Sequence, residues 1–204
     1  MPVPRARPPR PPHLRPVLPH LRVATRPLHA RLDAAPLSSR VTDGTLTPDD
    51  YRALISWQRH AHAIAEVGLA DFPWPADYRY RARTPALTSE AAALGLPTAR
   101  VRALRPPASL AAATGRAYVL EGASLGGNMI LGHLRRNGLL AGLSDFGFYT
   151  FQRDVGLGQW RSFAAFAKTR DWSPEAEATA GEEAARVFGV FAEALNAVTQ
   201  DTKR

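Results

Sequence analysis

Helical spacing of apolar residues, bounded by clear start and stop signals, most constrains the fold of this chain. One segment begins with Thr47, continues with Pro48 and two aspartates, and stops at Gly68, as a helix with an N-cap and a glycine terminator does. Ser173 and Pro174 open a last helix in the same way. Clean alternation of apolar and polar residues never lasts more than a few positions, so we predict an all-α fold of six to eight helices.

The approximate bounds of these helices follow from the same signals. Helices are expected at about 21–33, 47–67, 88–95, 108–136, 157–170 and from 173 onward. Pro27 must either lie in the first turn of the first helix or kink it. The segments 70–86 and 146–151 are expected to be irregular connections.

Residues 1–20 differ from the rest of the chain. They contain 8 of the 18 prolines and show neither helical nor strand periodicity, so we expect a disordered Pro- and Arg-rich tail at 1–20 and one helical domain at 21–200. The tail lacks the apolar core of a signal peptide. No apolar run approaches the roughly 18 residues of a membrane span, so a cytoplasmic protein without membrane contact is expected.

Composition excludes several kinds of chemistry. The chain has no cysteine, which excludes disulfides, thiolate catalysis and cysteine-ligated metals. The net charge is +8, but arginine supplies 24 of the 26 basic residues and four of those arginines lie in the first twenty positions. Because no helix-turn-helix or aromatic-interleaved basic pattern accompanies this charge, nucleic-acid binding is not predicted.

The stretch YVLEGASLGG, residues 118–127, contains the G-x-S-x-G pattern of a nucleophile elbow with Ser124 as the nucleophile. Hydrolases of that type need an acid and then a histidine after the serine. His133 is the only later histidine, and no Asp or Glu lies between it and Ser124. This order disfavours a serine hydrolase, although another chain order on another fold stays open.

In a helix, the glycines of this stretch need a reason. Gly122 and Gly126 fall one turn apart on one face, with Gly115 and Gly127 nearby. Each glycine costs up to about 1 kcal/mol relative to alanine in a helix interior. Either the glycines let another helix pack closely, or they leave backbone as the wall of a flat pocket, and the sequence leaves both alternatives open.

His29 is the second candidate. Arg22 lies seven residues earlier, two helical turns away and about 10 Å along the axis. Asp33, four residues later, can reach the ring nitrogen that a metal-bound His29 would not use. A single helical histidine is more often an ordinary surface or core residue, and that interpretation also stays open.

Two segments together resemble a known family. LRVATRPLHARLD, residues 21–33, resembles the proximal helix of heme oxygenases, and YVLEGASLGG resembles their glycine-rich distal helix, particularly in the bacterial type associated with bacteriophytochromes. FYTF at 148–151 resembles a segment before the later helices of the family. The resemblance covers about residues 20–200 in consistent order. It implies an all-α heme oxygenase fold with heme held between the proximal and distal helices.

The resemblance also implies roles for the candidate residues. His29 would be the iron ligand, leaving the opposite coordination position to O₂. Arginines two turns before His29 and in WRSF would pair with the heme propionates, and the distal glycines would let backbone approach the heme. The expected heme-binding residues are Arg22, His29, Asp33, Tyr118, Arg161 and Phe188, and the expected catalytic ones are Gly122, Ala123, Ser124, Gly126 and Gly127.

The implied reaction is oxidative cleavage of heme to biliverdin with release of carbon monoxide and ferrous iron. Heme would be both substrate and prosthetic group, and O₂ the oxidant. The chain shows no flavin or iron–sulfur motif, so we expect an external electron donor, an acidic ferredoxin or a reductase, on the arginine-rich surface. The resemblance alone adds a bacteriophytochrome as acceptor of biliverdin.

Ala123 departs from the pattern of the family. Animal-type members carry an aspartate there, which holds the waters that deliver protons to bound oxygen, whereas alanine cannot. Ser124, backbone groups or another side chain would have to organise those waters. A non-catalytic heme carrier or sensor with the same helices is therefore the alternative function.

Overall fold

The computed structural model describes residues 16–97, 102–143 and 145–201, and most of these lie in seven α-helices. The helices are α1 (Val17–Asp33), α2 (Pro36–Asp43), α3 (Pro48–Ala65), α4 (Thr84–Ala93), α5 (Leu110–Arg136), α6 (Gly147–Lys168) and α7 (Pro174–Asp201), with a short 3-10 helix, Gly138–Leu140, after α5. The described ranges contain no extended strand. The all-α prediction is confirmed.

Helix starts follow the predicted capping residues where the sequence carries them. The Thr47 hydroxyl accepts a hydrogen bond from the backbone N–H of Asp50 at 3.1 Å, and the Asp50 carboxylate accepts one from the N–H of Thr47 at 3.0 Å. This reciprocal pair is a capping box. The Ser173 hydroxyl accepts from the N–H of Ala176 at 3.2 Å and begins α7. Both predicted starts are confirmed.

The first helix begins earlier than the sequence suggested. Val17 and Leu21 are fully buried in the core, so α1 starts at Val17, inside the segment that we assigned to a tail. The predicted tail over residues 1–15 lies outside the described residues. Burial of Val17 in the core therefore places the start of the helical domain before the predicted residue 21.

Pro27 lies in the interior of α1 and not in its first turn. Its ring removes the N–H that would bond the carbonyl of Val23. Val23 is 69% exposed, so water can reach that carbonyl instead. The helix continues to Asp33 past the proline.

The start of α6 corrects a second expectation. The FYTF stretch was expected in an irregular connection, but Phe148 and Tyr149 lie in the first turn of α6 and are buried. Their rings pack against each other at 5.0 Å between centroids. α2 also lies in a stretch for which no helix was predicted. In both places burial against distant elements decides the structure.

The core lies around α7, which packs against α1, α3 and α5, while α5 also packs along α6. Aromatic side chains fill much of this core, for example Trp57 against Phe191 at 6.3 Å between ring centroids. α1 and α5 both lie on α7 but are not a closely packed pair in the described part of the chain. Arg22 and His29 lie on the exposed side of α1, and Gly122, Ala123 and Gly126 lie on the less buried side of α5, whereas Ser124 and Gly127 are buried.

Candidate functional site

His29 projects from the exposed side of α1 with one ring nitrogen engaged. Its Nδ1 lies 2.7 Å from Asp33 Oδ2, and its side chain is 65% exposed. No described residue hydrogen-bonds its Nε2. A carboxylate that holds Nδ1 sets the tautomer and the orientation of the ring, so the structure presents Nε2 as the nitrogen available to a ligand.

Phe188 of α7 supports the ring of His29 from the side. The two rings meet edge to face with 5.9 Å between centroids, and Phe188 is buried. The structure therefore brings together three of the expected heme-binding residues, His29, Asp33 and Phe188, at the C-terminal half of α1.

The two candidate arginines both point to solvent. Arg22 lies two turns before His29 on nearly the same side of α1, and Arg161 lies on α6 next to Trp160. Neither arginine has an acidic partner within ion-pairing distance among the residues that the structure describes. Their guanidinium groups can therefore bind carboxylates of a ligand.

The glycines of α5 fall into two classes. A Cβ on Gly115 would lie 2.0 Å from the carbonyl oxygen of Ala180 on α7, and a Cβ on Gly127 would lie 2.4 Å from Gln152 Oε1 on α6. These two glycines allow close helix packing. A Cβ on Gly122 or Gly126 would meet nothing closer than 3.9 Å, so helix packing does not explain those two.

An open stripe runs along the outer side of α5, formed by Tyr118, Gly122, Leu125, Gly126 and Met129. Leu125 is 44% exposed and Met129 is 59% exposed, which is unusual for large apolar side chains. Tyr118 lies beside Trp160 of α6 at 6.0 Å between ring centroids. The open stripe is thus an apolar surface on which backbone is accessible at two glycines one turn apart.

Contacts along α7 and α6 show how α1 and the open stripe are arranged. Near its start α5 packs on Ala180, and α1 packs on the next residue, Gly181, through His20. Further along, α1 stays on α7, as the contact of His29 with Phe188 shows, whereas α5 passes onto α6. The two helices thus share the region of α7 around Ala180 and Gly181 and pack on different elements beyond it.

Ala123 and Ser124 lie apart from each other. Ala123 is exposed beside the open stripe. Ser124 lies about 200° around the helix axis from Gly122, is 3% exposed, and accepts a hydrogen bond from Arg83 at 3.2 Å. The structure does not bring Ser124 to the open stripe, and within 16–97, 102–143 and 145–201 no histidine hydrogen-bonds the hydroxyl that a hydrolase would use as nucleophile.

Sequence reasoning missed Arg83, which is fully buried behind α5. Its guanidinium pairs with Glu121 and donates to Ser124, and Tyr78 donates its hydroxyl to Glu121 at 2.6 Å. Burial alone would lower the pKa of Arg83, but Tyr80 and Glu121 beside it raise that pKa overall. A carboxylate inside the apolar run YVLEG was the available signal, because a buried carboxylate needs a partner.

Glu66, at the end of α3, joins Arg83 to a second buried group. Its carboxylate accepts from the Tyr80 hydroxyl at 2.7 Å, the Arg83 N–H at 2.7 Å and the Thr84 hydroxyl at 2.6 Å. His62 Nδ1 lies 3.1 Å away. Burial would raise the pKa of Glu66, but the bonds from His62 and Thr84 outweigh it and lower that pKa to about 2.

A separate cavity of about 280 Å³ lies beyond the end of α5, lined by residues such as Arg135, Asn137 and Phe146. It contains none of the candidate residues, and its volume falls just below the 300–1,000 Å³ usual for small-molecule sites. We assign the site to the open stripe and His29 instead.

None of the described helices combines the length and apolarity needed to span a bilayer.

Comparisons with known proteins agree with this geometry. No family model matches the chain. A heme oxygenase of Xanthomonas campestris pv. campestris (strain 8004) is 37% identical over 154 residues, covering 72% of this chain and 90% of that protein. A crystal structure of the heme oxygenase from Neisseria meningitidis, described as NO- and CO-bound, matches with a TM-score of 0.66 over 89% of this chain and 91% of that one, at 23% identity, and shows the same fold. With more than a third of its residues shared over nearly the whole Xanthomonas protein, this chain belongs to the heme oxygenase family.

Proposed function

We propose that this heme oxygenase holds heme between α1 and the open stripe of α5, with His29 Nε2 as the iron ligand, and cleaves it to biliverdin, carbon monoxide and ferrous iron. The observation that carries the proposal is an exposed imidazole, fixed at Nδ1 by Asp33, on a helix that packs on α7 as α5 does, where close packing does not require Gly122 and Gly126. Bound heme would supply the iron that activates O₂. The protein residues bind, orient and enclose it.

On the proximal side, Asp33 and Phe188 act through His29. Asp33 accepts from Nδ1–H, which fixes the orientation of the ring and directs Nε2 toward a ligand. Phe188 limits rotation of the imidazole by its edge-to-face contact. Loss of either would leave an exposed histidine with several orientations.

Arg22 and Arg161 set the rotation of heme in its plane. Both are exposed and lack an acidic partner among the described residues, so each can form charge-assisted hydrogen bonds to a propionate. Because that rotation decides which edge of the heme lies under the open stripe, these arginines also bear on which meso carbon reacts.

On the side of the proposed site that α5 forms, backbone groups are the main groups that can organise water. Gly122 and Gly126 expose their backbone, Ala123 next to them is exposed, and Ser124 is turned to the opposite side of the helix. We propose that water enters beside Ala123 and is held there by backbone carbonyls of this turn, where it would supply the protons that the reaction needs.

Partners follow from the same proposal. Electrons come from an external donor, a ferredoxin or a reductase, that docks on the exposed arginines. The likeness of YVLEGASLGG to the bacteriophytochrome-associated type supports a bacteriophytochrome as the acceptor of biliverdin. We propose the cytoplasm, where such donors occur, as the location.

A heme carrier or sensor is the second candidate, and Ala123 favours it. The open stripe carries no acid, so no carboxyl group there would supply protons to the reaction. The two functions differ in whether heme is consumed. Hemin is therefore added to the purified protein with a reductant and O₂, and the absorption spectrum is followed. Loss of the Soret band with formation of biliverdin supports the enzyme, a stable ferrous or ferrous-oxy spectrum supports the carrier, and failure to bind hemin contradicts both.

His29→Ala tests the ligand. We expect the variant to lose the normal ferric spectrum and at least about tenfold in turnover, because the iron loses its protein ligand. His60→Ala, a histidine on α3, is the matched control and should behave as the wild type. Normal spectrum and turnover in His29→Ala would rule out His29 as the ligand.

A further inference from the structure

We infer that Arg83 is a positioning residue for the distal helix: its guanidinium clamps Glu121 and Ser124 on the inner side of α5 and thereby fixes how the open stripe faces the heme. The inference rests on the proposed function for the purpose of that stripe. The clamp itself is defined by contacts within the protein.

The Arg83 guanidinium contacts α5 at two residues about one turn apart, Glu121 and Ser124. Arg83 pairs with Glu121 through Nη2 and lies 3.4 Å from its second oxygen through Nη1. Nη2 and Nε reach the Ser124 hydroxyl at 3.2 and 3.4 Å. One contact would fix only the distance of the helix from Arg83. Two contacts on one planar guanidinium also fix the rotation of the helix about its axis.

The part of α5 that Arg83 contacts adjoins two glycines. Gly122 directly follows Glu121, and Gly126 lies two residues after Ser124. A Cβ on Gly122 would lie 3.9 Å from Trp160 of α6, and one on Gly126 would lie 3.9 Å from Ile130 of α5 itself, so close packing requires neither glycine. Glycine disfavours a regular helix and favours bends. The contacts of Arg83 therefore act, from the buried side, on the part of α5 where two glycines disfavour a regular helix.

Arg83 is itself held in place from several sides. Its backbone N–H donates to Glu66 at 2.7 Å, and its guanidinium lies 4.9 Å from the centre of the Tyr80 ring. Tyr78, from the same connection, donates to Glu121 at 2.6 Å. The clamp thus ties α5 to the end of α3 through groups that are all buried.

A gain in the stability of the folded protein does not by itself explain the buried pair of Arg83 and Glu121. A buried ion pair is often no more stabilising than apolar side chains of the same volume, and its clearest contribution is a defined geometry. α5 contains a second buried pair, Arg116 with Glu183 of α7, on its N-terminal half and away from the open stripe. That pair offers a matched control for the effect of losing a buried ion pair as such.

The experiment compares three variants with the wild type. Arg83→Met/Glu121→Leu removes the clamp, Ser124→Ala removes one of its two contacts and keeps the ion pair, and Arg116→Met/Glu183→Leu removes the control pair. Amide hydrogen exchange of the heme-free proteins reports the order of residues 122–127. The rate of carbon monoxide dissociation from the ferrous heme complex and the ratio of biliverdin isomers report the orientation of the stripe.

We expect exchange at 122–127 to rise about tenfold relative to the rest of α5 in Arg83→Met/Glu121→Leu and by less in Ser124→Ala. Carbon monoxide dissociation and the isomer ratio should change in the same order, with hemin binding retained. The control variant should shift exchange along the whole helix without singling out 122–127. If Arg83→Met/Glu121→Leu does not fold, Ser124→Ala carries the test alone.

Unchanged exchange at 122–127 in the clamp variants, or the same local change in the control, would overturn the inference. Failure of the proposed function is recognised separately, because wild-type protein would then leave heme intact while the exchange measurement on heme-free protein still reports the clamp.

Discussion

At the scale of single residues, the glycines of α5 differ in what surrounds them. Gly115 and Gly127 pack closely against α7 and α6, whereas a Cβ on Gly122 or Gly126 would make only an ordinary van der Waals contact at 3.9 Å. The sequence offered close packing and a backbone wall as alternatives for all four. Close packing applies to Gly115 and Gly127, and the backbone wall stays a proposal for Gly122 and Gly126; the neighbours of each glycine make this distinction.

This difference predicts opposite effects of alanine on stability. Gly115→Ala should destabilise the heme-free protein by about 1–3 kcal/mol or more, because the new Cβ would overlap the backbone of Ala180. Gly122→Ala should raise its stability by up to about 1 kcal/mol through helix propensity. Urea unfolding of the two variants measures both.

With hemin bound, we expect the opposite order for activity: Gly122→Ala should affect heme cleavage and Gly115→Ala should not. The Cβ of Gly122→Ala would project toward the heme, so turnover or the isomer ratio of biliverdin should change, while any folded Gly115→Ala should cleave heme normally. A loss of stability in Gly122→Ala would contradict the conclusion that a Cβ fits beside Trp160 at that position.

At the scale of elements, α1 carries the proposed ligand two residues after a proline. Pro27 lies within the helix, and the carbonyl that its ring leaves without a donor is on exposed Val23. Water at that carbonyl reduces the cost of the proline but does not abolish it. α1 is thus held by its burial against α7 more than by its own backbone hydrogen bonds.

Replacing this proline should therefore strengthen α1. We expect Pro27→Ala to raise the free energy of unfolding by about 1 kcal/mol or more, since the N–H to the Val23 carbonyl is restored. Pro36→Ala is the control: Pro36 opens α2, where a proline lacks no helical hydrogen bond, so no gain is expected. Thermal unfolding of both heme-free variants distinguishes them, and equal gains would refute the explanation.

The elements that could be predicted are those with local signals. α3 and α7 begin at Thr47 and Ser173 because a hydroxyl followed by proline and acids is sufficient to start a helix. The predicted start of α6 was wrong because the FYTF stretch contains no such start signal. Burial of Phe148 and Tyr149 by distant elements makes that stretch helical.

At the scale of the whole molecule, a buried polar chain connects α3 to α5. His62 and Glu66 end α3, Arg83 lies between, and Glu121 lies on α5. All four side chains are buried. Charged groups inside the core make the stability of the whole domain sensitive to pH.

Glu66 gives that sensitivity a direction. Its pKa is lowered from 4.5 to about 2 in the folded protein, so it contributes stability above about pH 4.5 that is lost as the pH falls toward 2. The contribution is on the order of 3 kcal/mol. Glu66→Gln should be less stable at neutral pH and should lose less stability between pH 4.5 and 2 than the wild type.

Chemical denaturation across that pH range measures the slope. Asp154→Asn is the control, because Asp154 pairs with Arg153 at an exposed position and its loss should leave the acid limb nearly unchanged. A Glu66→Gln profile parallel to that of the wild type would show that another group governs acid stability.

The sequence by itself determined the helical class of this protein, the two segments that carry its candidate site, and the family that they resemble, because spacing, capping and short motifs are local properties of a chain. Only the tertiary structure decided that Ser124 faces Arg83 and not the open stripe, and that Gly122 is uncovered while Gly115 is packed. The reason is that the side of a helix that becomes buried depends on partners far away in the chain, here Arg83 and Ala180. Helical spacing fixes the angles between side chains around the helix axis, but the packing partners decide which side of the helix faces the core.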